Sequence, residues 1–262
     1  MGSLWLTETD NTHLADIDVV VHPKHRRSGH GSALFAFLVA AAREKGRRSV
    51  GTDGWELPAV TGFARSVGLE KRAQEILRRQ HLAEVDLVRV RELSDEAALA
   101  AADYELVRVF GATPAELVDG IVDLMATMND APTDDLDVED EVFSPERLAA
   151  YERATAARGN RLYRLLARHR VTGELGGHTV VAVEERRPEL AHQHDTAVAR
   201  AHRGHRLGLL LKAAMVVWLT EVEPQVTTVD TWNAESNTHM ISVNEALDYR
   251  VMGRMLQFQR DV

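Results

Sequence analysis

The chain contains no cysteine. That excludes a disulfide framework, a thiolate zinc site and a cysteine nucleophile, and it fits a reducing compartment, so a cytoplasmic protein is expected. Long apolar runs are also missing. No stretch approaches the roughly 20 residues of a membrane span, and the opening Met1-Gly-Ser-Leu-Trp-Leu-Thr-Glu lacks the basic and then apolar order of a signal peptide. No membrane partner is expected. Positive charge is scarce: 31 Lys and Arg face 40 Asp and Glu, for a net charge of -9. This argues against a nucleic-acid partner, because phosphate binding needs a surplus of cations on at least one face. No Ser-His-Asp arrangement, Walker loop or Gly-x-Gly-x-x-Gly is visible.

What is present is a repeat. A chain of 262 residues, 45% of them hydrophobic, can bury one large core or two modest ones. Two basic patches, His22-Pro-Lys-His-Arg-Arg-Ser-Gly-His-Gly31 and Arg200-Ala-His-Arg-Gly-His-Arg-Leu-Gly208, each sit between an extended apolar segment and a long apolar helix pattern. Leu14 to Val21 reads as a strand, followed by the turn, a helix from Ser32, a strand over 48–52 and a helix over 57–66. Arg72 to Leu82 fits either a strand pair or a helix. The charged and then alanine-rich segment up to Asp103 suits a short connecting helix. Beyond it, Tyr104 to Phe110 reads as a strand, Thr113-Pro-Ala-Glu116 as a helix start and Ser144-Pro-Glu-Arg as another. The acidic run from Asp130 to Glu141 reads as a solvated loop. Strands over 161–170, 177–184 and 193–199 then lead into the second turn, a helix, a strand over 227–232, a final helix and a final strand. The first half matches only the later part of this order.

A helix N-terminus after a strand leaves unpaired backbone N–H groups and a partial positive charge, which suit a phosphate or pyrophosphate. Arg26-x-x-Gly29-x-Gly31 offers such a turn, with Lys24 and Arg27 as added cations. Arg203-Gly-His-Arg-Leu-Gly208 offers another, with Lys212 one turn further on. A single turn of this kind is equally explained as a solvated loop. Two in the same strand-turn-helix setting point to a shared ligand.

Val19-Val-Val-His-Pro-Lys-His-Arg-Arg-Ser-Gly-His-Gly-Ser-Ala-Leu34 looks like the acetyl-CoA signature of GNAT enzymes. The stretch His194 to Gly208, with Thr231-Trp-Asn-Ala-Glu-Ser-Asn237 and Met240-Ile-Ser-Val-Asn-Glu-Ala-Leu247, resembles an actinobacterial type of tandem GNAT protein, similar in its two-module plan to mycothiol synthase. The resemblance implies an α/β fold of two GNAT modules, each a mixed central sheet flanked by helices. It places a partial module at 1–90, a linker helix at 91–103 and a complete module at 104–262. It also implies transfer of an acetyl or other acyl group from acetyl-CoA, used as co-substrate without a metal, to a small amine. Carried over, acyl-CoA would lie on Val198, Ala199, Arg203, Gly204, His205, Arg206, Leu207 and Gly208, with Asn233 and Asn237 beside the pantetheine. Asn237 is equally explained as the N-cap of the last helix. The corresponding residues of the first module are Val21, Arg26, Arg27, Gly29, His30 and Gly31.

Three departures from the family pattern stand out. Arg206 occupies the usual place of the turn's first glycine, Asp248 replaces the glycine of a Gly-aromatic pair, and Asn244 stands where many members carry a proton-donating tyrosine. The matching residue of the first module is Ala64. A proton acceptor for the attacking amine is expected among His192, His194 and Asp195, with His194 first because its unperturbed pKa suits the task, although both histidines are also explained as solvent-facing strand residues. Strict alternation puts His192, His194 and Thr196 on one face and Asp195 on the other. His202 and His205 lack the partners of a metal site. Asn244 leaves open a second reading, an acyl-CoA-binding sensor or scaffold without catalysis. The first module, with few residues before its turn, is expected to lack the opening strand, two helices and the next strand, and to pack against the second module or a second copy in a homodimer.

Overall fold

The computed structural model describes residues 1–262. The first half contains β1 (Gly2–Leu6), β2 (Leu14–Val19), α1 (His30–Glu44), β3 (Ser49–Trp55), α2 (Pro58–Ser66) and β4 (Glu70–His81), followed by α3 (Leu87–Ala100). The second half contains β5 (Tyr104–Phe110), α4 (Val118–Ala126), α5 (Pro145–Ala157), β6 (Arg161–His169), β7 (Leu175–Val183), β8 (Leu190–Val198), α6 (Leu207–Val222), β9 (Thr228–Ala234), α7 (Thr238–Ala246) and β10 (Arg250–Asp261). All ten strands form one mixed sheet in the order β1-β2-β3-β10-β4-β9-β8-β7-β6-β5, flanked by the seven helices. Only β2 with β3 and β8 with β9 run parallel.

The two halves exchange strands. β10, the last strand of the second half, lies between β3 and β4 of the first. β4, the last strand of the first half, lies between β10 and β9. The antiparallel pair β4 and β10, 12 residues each, therefore forms the centre of the sheet, and neither half has a closed sheet without the other. Arg72 to Leu82 thus resolves into a single strand. Its inward face carries Gln74, Ile76, Arg78 and Gln80, and the polar residues at three of these four buried positions hide the alternation.

Three of the four apolar clusters hold the layers. The largest lies under α3 and α6, a smaller one under α1 and α2, and a third under α4 and α5. From Leu207 to Leu219 α6 is apolar except for Lys212, and most of its residues are buried. A helix apolar on all sides is stable only when covered all round, and here the sheet and α3 cover it. Each fully buried leucine in it contributes about 2 kcal/mol. The connecting helix is therefore longer than its charged sequence suggests and belongs to this core through Val90, Leu93 and Ala97. Asp86 caps it by accepting from the N–H groups of Val88 and Arg89.

The acidic loop after α4 is not a free solvated loop. It straps the halves together. Asp135 N–H donates to Arg72 O (3.1 Å), Asp137 N–H to Gln259 Oε1 (2.7 Å) and Glu139 N–H to Asn11 Oδ1 (2.6 Å). Arg147 at the start of α5 pairs with Asp10.

Candidate active site

Both basic turns fold alike. Each follows a strand end with a short 3-10 turn, Pro23–His25 or Arg200–His202. Arg26 Nε then donates back to Val21 O (3.0 Å), and Arg203 Nε to Val198 O (3.2 Å). Each turn next takes two positive-φ residues, Arg27 (63°) and Gly29 (82°) in one, Gly204 (90°) and Arg206 (56°) in the other. Glycine and arginine have traded places. The backbone conformation is kept, although a non-glycine residue there costs about 1 kcal/mol. No side chain caps α1 or α6, so their first N–H groups stay available to an anion. Arg206 is exposed at the mouth of the cleft, where it adds a cation beside that position.

Beyond the second turn the sheet opens. β8 pairs with β9 only from Leu190 to Gln193, opposite Thr228 to Thr231. On its other side β8 carries a bulge: between the pairs Val181↔Gln193 and Thr179↔Thr196, β7 has one residue and β8 has two, His194 and Asp195. A bulge of this kind re-aims side chains and ends regular pairing. Gln193 braces it, its Nε2 donating to Thr179 Oγ1 (3.0 Å) and Val180 O (2.7 Å). The expected alternation of His192, His194 and Thr196 fails here, because the extra residue puts Thr196 beside Thr179 instead, with their hydroxyls 2.7 Å apart. Pairing of β2 with β3 is similarly short, Leu14 to Asp16 with Ser49 to Gly51.

The opening between β8 and β9 is a cleft of about 1100 Å³. Of the residues expected there, His194, Asp195, Val198, Arg203, Gly204, Arg206, Leu207, Gly208, Asn233 and Asn237 line it. Ala199 and His205 do not. Ala199 N–H donates to Gly176 O (3.0 Å), and His205 packs on Tyr104 on the far side of the turn, ring centroids 5.5 Å apart. In an antiparallel pair a residue whose N–H reaches across is flanked by residues whose N–H points away. Val198 N–H therefore points into the opening. Asn237 serves as the α7 N-cap, accepting from Met240 N–H (3.2 Å). The first-half turn, including Val21, Arg26, Arg27, Gly29, His30 and Gly31, lies on the surface, without a counterpart of α4 and α5 above it.

The two bulge residues differ electrostatically. His194 opens to the cleft, and its Nδ1 lies 2.6 Å from the Tyr151 hydroxyl. Crowding by protein atoms, helped by His192, pushes its pKa down to about 4, so it is neutral at physiological pH but a weak base. Burial pushes the Asp195 carboxyl up, against the pull of Arg164. A raised carboxylate is a better proton acceptor than an ordinary one.

Lys212 lies elsewhere than its spacing from the turn suggests. It is 1% exposed, and Nζ donates to Asn244 Oδ1 (2.6 Å) instead of reaching the turn. Asn244 Nδ2 donates in turn to Asn233 Oδ1 (2.6 Å). The signal for this network was a lone lysine in an apolar helix. Asp130, also missed from sequence, bridges Arg200 and Arg203 from the loop after α4. No cluster of three or more His, Asp or Glu is arranged to hold a metal.

The sheet that splays beside an uncapped helix has relatives among solved structures. The tandem GNAT protein from the clavulanic acid biosynthesis pathway is 30% identical, with a TM-score of 0.77 over 95% of this chain and 75% of its own. The chain belongs to the GNAT family. The family model for GNAT acetyltransferases matches residues 1–68, which carry the first turn. A GCN5-related N-acetyltransferase from Sphaerobacter thermophilus matches 99% of this chain at 13% identity and a TM-score of 0.70, covering 76% of its own length. A GCN5-related glucosamine N-acetyltransferase region of a fungal multi-domain β-N-acetylglucosaminidase matches in fold, with a TM-score of 0.66 and 13% identity over 98% of this chain and 31% of its own. No curated protein matches. The chain is a tandem GNAT protein of N-acetyltransferase type, and β4 and β10 join its two halves in one sheet.

Proposed function

We propose that this GNAT protein transfers an acyl group, most simply acetyl, from acyl-CoA to a small amine in the cytoplasm, at the cleft of the second module. The observation that carries this reading is the meeting, in one cleft, of the uncapped α6 N-terminus and the bulge residues His194 and Asp195. Gly208 on the first turn of α6 leaves open space where a side chain would project, which fits the close approach of a diphosphate. The pantetheine would then follow the gap between β8 and β9 past Val198.

In this reading the amine enters from the side of His194 and Asp195. Its nitrogen bonds to the thioester carbon as Asp195 takes its proton, with His194 and Tyr151 holding the acceptor, and Val198 N–H stabilises the oxyanion. Collapse breaks the C–S bond and releases CoA. The division into a first module at 1–90, a connection at 91–103 and a second module at 104–262 belongs to the proposal, with the first module supporting the second through β4. Mass spectrometry of the purified protein for copurified acyl-CoA, followed by calorimetry and a panel of primary amines, tests it. Absence of acyl-CoA binding overturns the reading.

Asn244 favours a second reading, an acyl-CoA sensor, because a carboxamide supplies no proton to a leaving thiolate. Binding of acyl-CoA without transfer to any amine in the panel would establish it.

A further inference from the structure

Lys212 is the one ionisable residue between Leu207 and Leu219, and burying its ammonium opposes folding where a leucine would favour it. It forms no ion pair. Its Nζ lies 4.7 Å over the Tyr249 ring, donates to Asn244, and borders the same cleft as Asp195 and Asn233. The charged groups around it have other partners or line the cleft. Asp230 of β9 is held by both arms of Arg79, Arg78 of β4 faces Glu245 of α7 at 3.9 Å, and His239, His194 and Asp195 line the cleft. The face of α3 packed on α6 is apolar.

Resting on the proposed transfer, we propose that Lys212 is its acid, donating a proton to the CoA sulfur as the C–S bond breaks. The atoms balance. The amine nitrogen forms the amide bond and gives its proton to Asp195; Lys212 passes a proton to the departing thiolate and is left as a neutral amine; the proton on Asp195 returns to Lys212 through cleft water. Asn244 is a positioning residue, its carboxamide fixing the amine on one side and Asn233 on the other. Burial pushes the lysine pKa down to about 7, close to a free thiol near 8.5, so the transfer needs little driving force. Neither His194, neutral at pH 7, nor Asp195, which accepts a proton, can supply this step.

The test is kcat against pH for the parent, Lys212→Met and Lys212→Arg. An acid must be protonated, so parent kcat should fall as pH rises through the lysine pKa. Lys212→Met should lower kcat by about a hundredfold with KM for acyl-CoA within about threefold, and the alkaline limb should vanish. Lys212→Arg keeps the charge but does not release its proton, so it should also be slow, with a flat profile. A Met variant that keeps parent kcat and the alkaline limb overturns the proposal. A second measurement on the unaltered protein needs neither variant: ultraviolet titration of bound CoA should show a thiol pKa lowered by about two units or more, a hundredfold change in ionisation, so that the thiol ionises while the lysine is still charged. An unshifted thiol overturns the role. If the parent binds CoA with a lowered thiol pKa yet acylates no amine, the transfer reading fails while the placement of Lys212 stands.

Discussion

Asp130 Oδ2 lies 2.6 Å from the Arg203 guanidinium, and Asp130 Oδ1 lies 2.8 Å from that of Arg200. A carboxylate from the loop after α4 thus stands at the turn expected to receive a diphosphate. The hydrogen bond from Arg203 holds its pKa below the ordinary carboxylate value, so it is charged at neutral pH. Two anions compete there. Asp130→Asn should tighten acyl-CoA binding by about threefold or more, with a weaker effect at high salt, since exposed charges are screened. Calorimetry at two salt concentrations checks this, and weaker binding would show that Asp130 assists the ligand.

The two turns should not be equivalent in activity. Arg203→Glu removes the back-bond to Val198 O and places a negative charge at the anion position, so acyl-CoA affinity at the cleft should drop about tenfold or more. Arg26→Glu makes the same change at the exposed first turn and should leave transfer intact. Loss of transfer in the Arg26 variant alone would move the working site to the first module.

The acidic limb of the kcat profile should belong to Asp195. Burial raises its pKa, so the carboxylate needed to take a proton is lost as pH falls through that raised value. Asp195→Asn should lower kcat by about a hundredfold and erase the limb. His194→Ala should keep the limb, because the carboxylate and not the imidazole takes the proton, and its smaller effect should fall mainly on KM for the amine. An unchanged limb in Asp195→Asn assigns the base to another group.

Stability should also depend on Lys212. Its folded pKa of about 7 lies below the unfolded value near 10.4, so between these values the unfolded chain binds more protons and stability rises with pH. The burial penalty is fully present below pH 7 and relieved above it. Thermal unfolding of Lys212→Met should occur at higher temperature than the parent at pH 6, with the difference shrinking by pH 9. A parent less stable at pH 9 than at pH 6, with the Met variant following it, would contradict this.

Residues 104–262 alone should not form a stable monomer. Without β4 the strands β9 and β10 have a vacant slot between them, and their unpaired edges invite exchange with a second copy. Size-exclusion chromatography should show dimers or aggregates. Adding a peptide spanning 70–103, which supplies both β4 and the α3 cover of α6, should shift it towards the monomer, and a fragment that is monomeric by itself would show that the exchange is dispensable.

The elements that define this GNAT protein could be read from short windows. Each strand-turn-helix is encoded by neighbouring residues: a β-branched run, an arginine that bonds back five residues, glycines near the helix start and an apolar helix. Local geometry depends on local sequence, so both strand-turn-helix units were legible, with His194 and Asp195 on the strand before the second turn. The tertiary structure decided the rest. Strand exchange depends on which distant edge accepts β4, and the polar face of that strand finds partners such as Leu247 O, which Gln80 Nε2 meets at 2.6 Å. The bulge exists because Gln193 bonds across to β7, which shifts Thr196 against the alternation read from sequence. Lys212 is spaced from the turn as a surface cation would be, yet Asn244 of α7 and the Tyr249 ring close over it, and burial converts an ordinary ammonium into a group titrating near neutrality. Burial arises from every element packed around a residue, and no window of its own neighbours contains it.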